Sequence, residues 1–382
     1  MSDSPVAGPG RRLLVTGGAG FIGSCFVREI LGRRDGTRVT VLDKLTYAGN
    51  RANLAAIETD PEQASRFRFV HGDIAAPDVV GPLVAEADAV VNFAAETHVD
   101  RSILEPEAFL ATGVVGVHVL LEACRAEAAR VASGGRRTAD GGLRPAPRLV
   151  QVSTDEVYGS VPDGHAGETD PLAPRSPYSA AKAAGDLLVG SYFATFGLDV
   201  VITRGSNTYG PFQHPEKLIP LFLTNALDDQ PLPLYGDGLQ RRDWLYVADH
   251  ALAVEHVLIH GAAGEIYNIP GDTERTNREV VGLLLEELGK PWSLVRQVED
   301  RPGHDWRYAM DGARLQALGW RNRTDFREGL ASTVAWFRDN EPWWRACKSG
   351  DWTAYYDRQY GSRLANGLLV AELAAGDDVS SR

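Results

Sequence analysis

The chain has 382 residues, 44% hydrophobic and 24% charged, with a formal net charge of −12. A chain of this length can bury a large core within one two-lobed unit. Its acidic balance argues against a nucleic-acid or anionic-membrane binder, since both want basic surface, and any phosphate ligand must find its cations locally. Three cysteines (Cys25, Cys124, Cys347) include no close pair. They give neither a disulfide framework nor a zinc pattern, so no metal site is expected and a reducing cytoplasm is the natural setting. The opening MSDSPVAGPGRR carries no apolar run after its charges, unlike a secretory signal. No stretch approaches the roughly 18 uninterrupted apolar residues of a membrane span.

From Arg12 onward, short β-branched runs alternate with longer helix-like segments. LLVTGG leads to FIGSCFVREILG, then come RVTVLD, FRFVHGDI, ADAVVNFAA, RLVQVST and DVVITRGSN. The apolar runs are nearly continuous, as suits parallel strands covered on both faces. This alternation predicts an α/β fold, a doubly wound parallel sheet of the Rossmann kind with a smaller α/β substrate lobe. After about Asn207, Pro and Gly become frequent, and NREVVGLLLEELG alternates with short strands such as EIYNIP. The predicted division is a dinucleotide-binding lobe over 11–204, with a returning segment near 243–262, and a substrate lobe over 205–362. Residues 1–10 and 363–382 read as tails, with GLLVAELAA as a short helix. Ser133–Pro147 reads as a flexible, partly basic insertion between a helix and a strand.

Gly17, Gly20 and Gly23 stand in TGGAGFIG, directly after a strand and opening a helix. Glycines there allow a tight turn and let N–H groups approach a pyrophosphate at the positive helix end. Asp43 ends the next strand, placed to accept from a ribose 2′-OH and to repel a 2′-phosphate, so NAD is favoured over NADP. Read alone, Asp43 is also a plausible turn or N-cap residue, and Asp73 of HGDI is as good a turn former as an adenine contact. NFAAE (Phe93 to Glu96) follows a later strand, where the ligand crevice should open.

Tyr178 and Lys182 form YSAAK, four residues apart on a predicted helix and therefore on one face. A neighbouring ammonium and a positive nicotinamide would favour the phenolate, letting Tyr178 take a hydroxyl proton while hydride leaves the same carbon. A bare Tyr–Lys pair is weak evidence, but it follows a glycine-rich dinucleotide turn in the right chain order. Before it lies STDEVYG. Thr154 can bond a substrate oxygen or tune Tyr178, and Asp155 and Glu156 suit paired acid and base work if their pKa values are pushed apart. In a straight strand they would face opposite ways, so a joint role requires that the strand has already ended. An N-cap and a solvated charge account for the two residues equally well.

Taken together, TGGAGFIGS, DKLTYAGN, AAETHVDRSI, STDEVYG, YSAAK, NTYGPFQHPEKLIP, PLYGDGLQRRDWLYVADH, YNIPG and DRPGHDWRYAMD closely resemble dTDP-glucose 4,6-dehydratases of the extended short-chain dehydrogenase/reductase family. The matches run in order from about Leu13 to Tyr360. The Thr-Asp-Glu triplet separates dehydratases from the related 4-epimerases and decarboxylases, which lack that acidic pair. The resemblance implies that Tyr178 deprotonates the glucose C4 hydroxyl, NAD takes the C4 hydride, Glu156 removes the C5 proton, and Asp155 protonates the departing C6 hydroxyl. Hydride then returns to C6, so NAD should stay bound. It extends the NAD site to Phe21, Ile22, Lys44, Thr46, Ile74, Ala94, Ala95, Thr112 and Thr208. It also implies that Asn207, Lys217, Arg242, Asn277, Arg301 and His304 surround the nucleotide diphosphate, supplying the cations an acidic chain needs. Leu218 would join the substrate site, Pro233 and Tyr235 would pack near the base, and Tyr360 would close the pocket. Taken singly, Arg242 or Lys217 would more often be a solvated surface charge. Departures are few: Thr97 stands where serine is usual, and the 133–147 insertion and C-terminal extension are long for the family. A homodimer joined through helices of the NAD lobe is implied, and FLATGVVGVHVLLEAC could supply its face. The competing readings are a dehydratase or epimerase of a UDP-sugar, and a non-catalytic NAD-binding regulator.

Overall fold

The six apolar runs form strands β1 (Arg12–Thr16), β2 (Arg38–Asp43), β3 (Phe67–His71), β4 (Ala89–Asn92), β5 (Arg148–Thr154) and β6 (Val200–Gly205). The second half adds β7 (Asn207–Tyr209), β8 (Leu232–Tyr235), β9 (Arg241–Tyr246), β10 (Ile266–Ile269), β11 (Glu274–Thr276), β12 (Val295–Val298) and β13 (Leu368–Leu369). This computed structural model describes residues 10–136, 144–300 and 303–369. A seven-stranded sheet, all parallel, runs β10-β6-β5-β4-β1-β2-β3. The architecture is a Rossmann-like α/β fold.

Every residue of β4, β5 and β6 is buried, which explains why they read as unbroken apolar stretches. The polar residues among them are paired: Asn92 donates to Gln151 at 2.7 Å and accepts from Thr16 at 2.5 Å. Helices Phe21–Gly32 and Val247–His260 cover one face, where Phe26, Ile30, Val254 and Val257 join the core. Helices Pro77–Glu86 and Val117–Ala132 cover the other through Val80, Leu83, Leu120 and Leu121. Each such buried aliphatic side chain contributes about 1.5–3 kcal/mol. A third core, around Leu221, Phe222, Leu284, Phe337 and Trp344, lies under two small sheets ordered β11-β9-β7 and β13-β12-β8.

Four details differ from the expectation. EIYNIP, placed in the smaller lobe by its short-strand texture, supplies β10 and pairs with β6 at the edge of the large sheet. The chain therefore returns to that sheet beyond residue 262. Residues 243–246, at the start of the expected return, belong instead to β9 in a small sheet. The predicted helix GLLVAELAA begins as β13, antiparallel to β12, and its remainder lies outside the described residues. Pro106–Ala132 is one helix long and apolar enough, by length and composition, to cross a membrane, although no uninterrupted apolar run marks it in the sequence. Its inner face packs into the core beside the sheet.

The insertion has tightly fixed stems. The Arg144 N–H donates to the Arg136 carbonyl at 3.0 Å. Arg136 is buried against Glu127 and the Ala87 carbonyl, and Arg144 against Asp88 and the Glu86 carbonyl. Residues 137–143 between them lie outside the described residues.

Candidate active site

The turn after β1 brings backbone against backbone. Gly17 has φ of +68°, and a Cβ there would stand 2.5 Å from the Ala94 nitrogen; one on Gly23 would stand 2.3 Å from the Gly17 oxygen. Only glycine fits so close an approach. The helix Phe21–Gly32 starts at Gly20 with no side-chain cap and no acid in its first turn. Its N–H groups are thus free of internal competition for an anion, which fits a dinucleotide pyrophosphate. Asp43 serves the turn as well as the cavity, since its carboxylate accepts from Ala19 N at 2.9 Å and Leu45 N at 2.8 Å. Burial raises its pKa despite those bonds. Burial acts on Asp73 in the same sense, but hydrogen bonds from Lys44, at 2.6 Å, and from Ala75 N–H outweigh it and hold the carboxyl low.

One large cavity opens over the C-terminal ends of the central strands. Gly17, Gly20, Phe21, Ile22, Gly23, Asp43, Lys44, Thr46, Asp73, Ile74, Phe93, Ala94, Ala95, Thr112, Tyr178, Lys182 and Thr208 all line it, together with Thr97 and Thr154 to Glu156. A second cavity is lined by Pro233, Tyr235, Arg242, Asn277, His304 and Tyr360. Glu156, Asn207, Glu216, Lys217, Leu218 and Trp244 line both, so the two spaces adjoin along these residues. Arg301 lies outside the described residues.

The local geometry of STDEVYG resolves the question its sequence left open. β5 ends at Thr154, and Asp155–Tyr158 forms a 3-10 turn capped by the Thr154 side chain, which accepts from Glu156 N. The cap is therefore Thr154 rather than Asp155. Asp155 is 3% exposed, and its Oδ1 accepts from the Thr154 hydroxyl at 3.0 Å. Burial, reinforced by the charge of Glu156, pushes its pKa well above the usual carboxylate range, which favours the protonated form. Its buried Oδ2 makes no hydrogen bond among the described residues.

Tyr178 enters from the helix Pro177–Phe196, whose start is fixed by a capping box between Ser176 and Ser179. The phenol bonds Thr154, and the ring meets Phe109 edge-on. The nicotinamide charge expected to lower its pKa belongs to bound NAD; within the chain itself burial raises that pKa strongly, the charge of Glu156 adds to the rise, and the bond to Thr154 opposes it. Lys182 donates to the Val152 carbonyl at 2.6 Å.

In the second cavity Arg242 is no solvated charge. It is 4% exposed, its guanidinium donates to the carbonyls of Arg241 and Asp305, and it lies 4.3 Å over the Tyr308 ring. Lys217 donates to the Thr97 carbonyl at 2.6 Å, and His304 faces Asp300 at 2.6 Å. Tyr235 packs 5.9 Å from Tyr360 and donates to Asp100. Several lining residues escaped the sequence reading, notably Glu216, Trp244, Tyr308 and His250. Glu216 and Tyr308 sit inside stretches that already carried the resemblance. Glu216 meets Arg101 at 3.0 Å across 115 positions of sequence, a pairing that no local pattern announces.

Comparison with known proteins gives a consistent answer. Residues 14–333 match the family described as GDP-mannose 4,6 dehydratase. A dTDP-glucose 4,6-dehydratase of Streptomyces niveus is 52% identical over 345 residues, covering 89% of this chain and 96% of that protein. A second, from Streptomyces antibioticus, is 52% identical over 342 residues, covering 88% and 95%. The crystal structure of DesIV, a dTDP-glucose 4,6-dehydratase from Streptomyces venezuelae with NAD and TYD bound, is 51% identical with a TM-score of 0.80, covering 88% of this chain and 100% of that one. The chain therefore belongs to the GDP-mannose 4,6 dehydratase family, together with the dTDP-glucose 4,6-dehydratases.

Proposed function

We propose that this chain is a dTDP-glucose 4,6-dehydratase, an NAD-dependent hydro-lyase that converts dTDP-glucose to dTDP-4-keto-6-deoxyglucose and water. The observation that carries the reading is the acid pair: Asp155, whose pKa burial raises, beside Glu156, which lines both cavities within a turn of Thr154. NAD would lie along the turn at Gly17–Gly23 with its ribose toward Asp43. Bound there, it supplies an acceptor that takes hydride from C4 and returns it to C6, and a positive ring charge beside Tyr178. Tyr178 takes the C4 hydroxyl proton, with Thr154 fixing the phenol. Once C4 is a ketone the C5 proton is acidic, and Glu156 removes it. Asp155 gives its proton to the C6 hydroxyl, which leaves as water. Lys217, Arg242, Asn277, Arg301 and His304, with Asn207, hold the diphosphate, and Tyr235 and Tyr360 flank the base. We assign NAD binding to 11–204 with the later return of the chain, and the sugar nucleotide to 205–362.

Incubating the purified chain with dTDP-glucose and no added NAD tests the reading. A 4-keto-6-deoxy sugar nucleotide, lighter by one water, is the expected product. Clear preference for UDP-glucose would overturn the choice of substrate, and inertness toward both with NAD supplied would favour a regulator. Asp43→Ala is expected to weaken NAD retention roughly 10- to 100-fold, through loss of a charged acceptor; unchanged cofactor content would leave Asp43 as a turn anchor alone.

We also assign a homodimer to the apolar face exposed along the helices 106–132 and 177–196, where Leu110, Val115, Leu187, Phe193 and Phe196 meet solvent. A sedimentation mass near 41.4 kDa would overturn that assignment. A cytoplasmic location completes the proposal, and cell fractionation checks it.

A further inference from the structure

One turn beyond Lys182 on the 177–196 helix stands Asp186, which none of the roles above employs. Positions 178, 182 and 186 share a helix face. The surroundings are dry: Lys182 is 6% exposed, Asp186 3% and Arg204 2%. An ammonium buried this far sheds its proton unless an opposing charge holds it. The Val152 carbonyl satisfies one of its N–H groups at 2.6 Å but brings no charge. Among the described residues, Asp186 supplies the opposing charge that acts on Lys182, whose pKa burial has pulled down to about 8.

Asp186 is itself clamped. Arg204, on β6, donates to its Oδ2 at 2.9 Å and to the Tyr158 hydroxyl at 2.8 Å, and Tyr158 donates to Asn268 at 2.8 Å. Burial raises the Asp186 pKa, while Arg204, the Ser153 hydroxyl on β5 and Lys182 oppose the rise. From the 247–260 helix, His250 also faces Lys182. Burial and the Lys182 charge push it down to about 4, so it is neutral and contributes no charge of its own. Tyr178, one turn earlier, is an uncharged phenol at neutral pH.

We propose that Asp186, clamped by Arg204, is a positioning residue that acts through Lys182, keeping it charged one helical turn from Tyr178. Its relevance to turnover rests on the dehydratase reading, but the charge state of Lys182 does not, and the two can be tested apart. The chain has only five lysines (Lys44, Lys182, Lys217, Lys290 and Lys348). Selective carbon-13 labelling at lysine Cε therefore gives few NMR signals, and Lys182→Arg identifies the one that matters. In the NAD-bound protein with Asp186→Asn, the Lys182 titration midpoint is expected to fall by about 1–3 pH units. Asp186→Glu should restore it, and decides the matter if the asparagine variant does not fold. The alkaline limb of kcat on dTDP-glucose should move to lower pH by the same amount, with KM held. A midpoint that does not move in Asp186→Asn, or that falls equally in Asp186→Glu, overturns the proposal. The expected midpoint shift in a chain that turns over no sugar nucleotide would instead overturn the functional reading and leave this one standing.

Discussion

Tyr178→Phe is expected to cut turnover of dTDP-glucose by roughly 10²- to 10⁴-fold, the usual worth of a positioned proton acceptor. The fold should scarcely notice. The ring is buried and meets Phe109 edge-on, and phenylalanine keeps both features. Thr154 loses one hydrogen bond but keeps its contacts with Asp155 and Glu156 N, so stability should change by about 1 kcal/mol or less. KM and NAD content should stay near those of the parent, because the phenol oxygen, not the ring, does the chemistry. The pH dependence has a definite sign: burial holds the phenol protonated, so kcat in the parent rises with pH on its acid side. Near-normal turnover in the variant would remove Tyr178 from the reaction.

Glu156→Gln and Asp155→Asn should each stop the reaction after C4 oxidation, but at different protons. The glutamine cannot accept the C5 proton, so reduced NAD accumulates and C5 takes up no deuterium from heavy water. The asparagine leaves Glu156 able to remove that proton, so deuterium enters C5 while the C6 hydroxyl is retained. Overall kcat should fall roughly 10²- to 10⁴-fold in both. Asp155→Asn is the gentler change for the fold, because the amide is uncharged and burial disfavours the charged form of the acid it replaces. Full activity in either variant rejects that residue's role, and exchange at C5 in Glu156→Gln would name another base.

The glycine turn, the six leading strands and the Tyr–Lys spacing were legible in the sequence because each is a local pattern, set by backbone sterics or by helical and strand periodicity. The seventh strand was not. Four residues of EIYNIP carry no mark of which sheet they join, and their pairing with β6 is settled by packing more than sixty positions away. Arg242 shows the same limit, since its burial over Tyr308 depends on a loop distant in sequence. The surroundings of Tyr178 were hidden for a different reason. The spacing to Lys182 is correct, but that lysine reaches down to the Val152 carbonyl, and burial dominates. Residue identity and spacing reveal a pair of partners; they do not reveal how much water the pair has lost.

The riveted stems of the insertion have a bearing on how this chain could be lengthened. Arg136 and Arg144 are tied both to each other and to the end of the 77–86 helix and its following loop. Whatever is spliced between them therefore hangs from a closed clasp, and each doubling of its length costs only about 0.6 kcal/mol. Replacing 137–143 with a longer peptide or a whole reporter domain should leave the melting temperature and NAD content essentially unchanged, as calorimetry and absorbance would register. Such a clasp makes this stretch a natural docking port, where new sequence can be tried without disturbing the catalyst behind it.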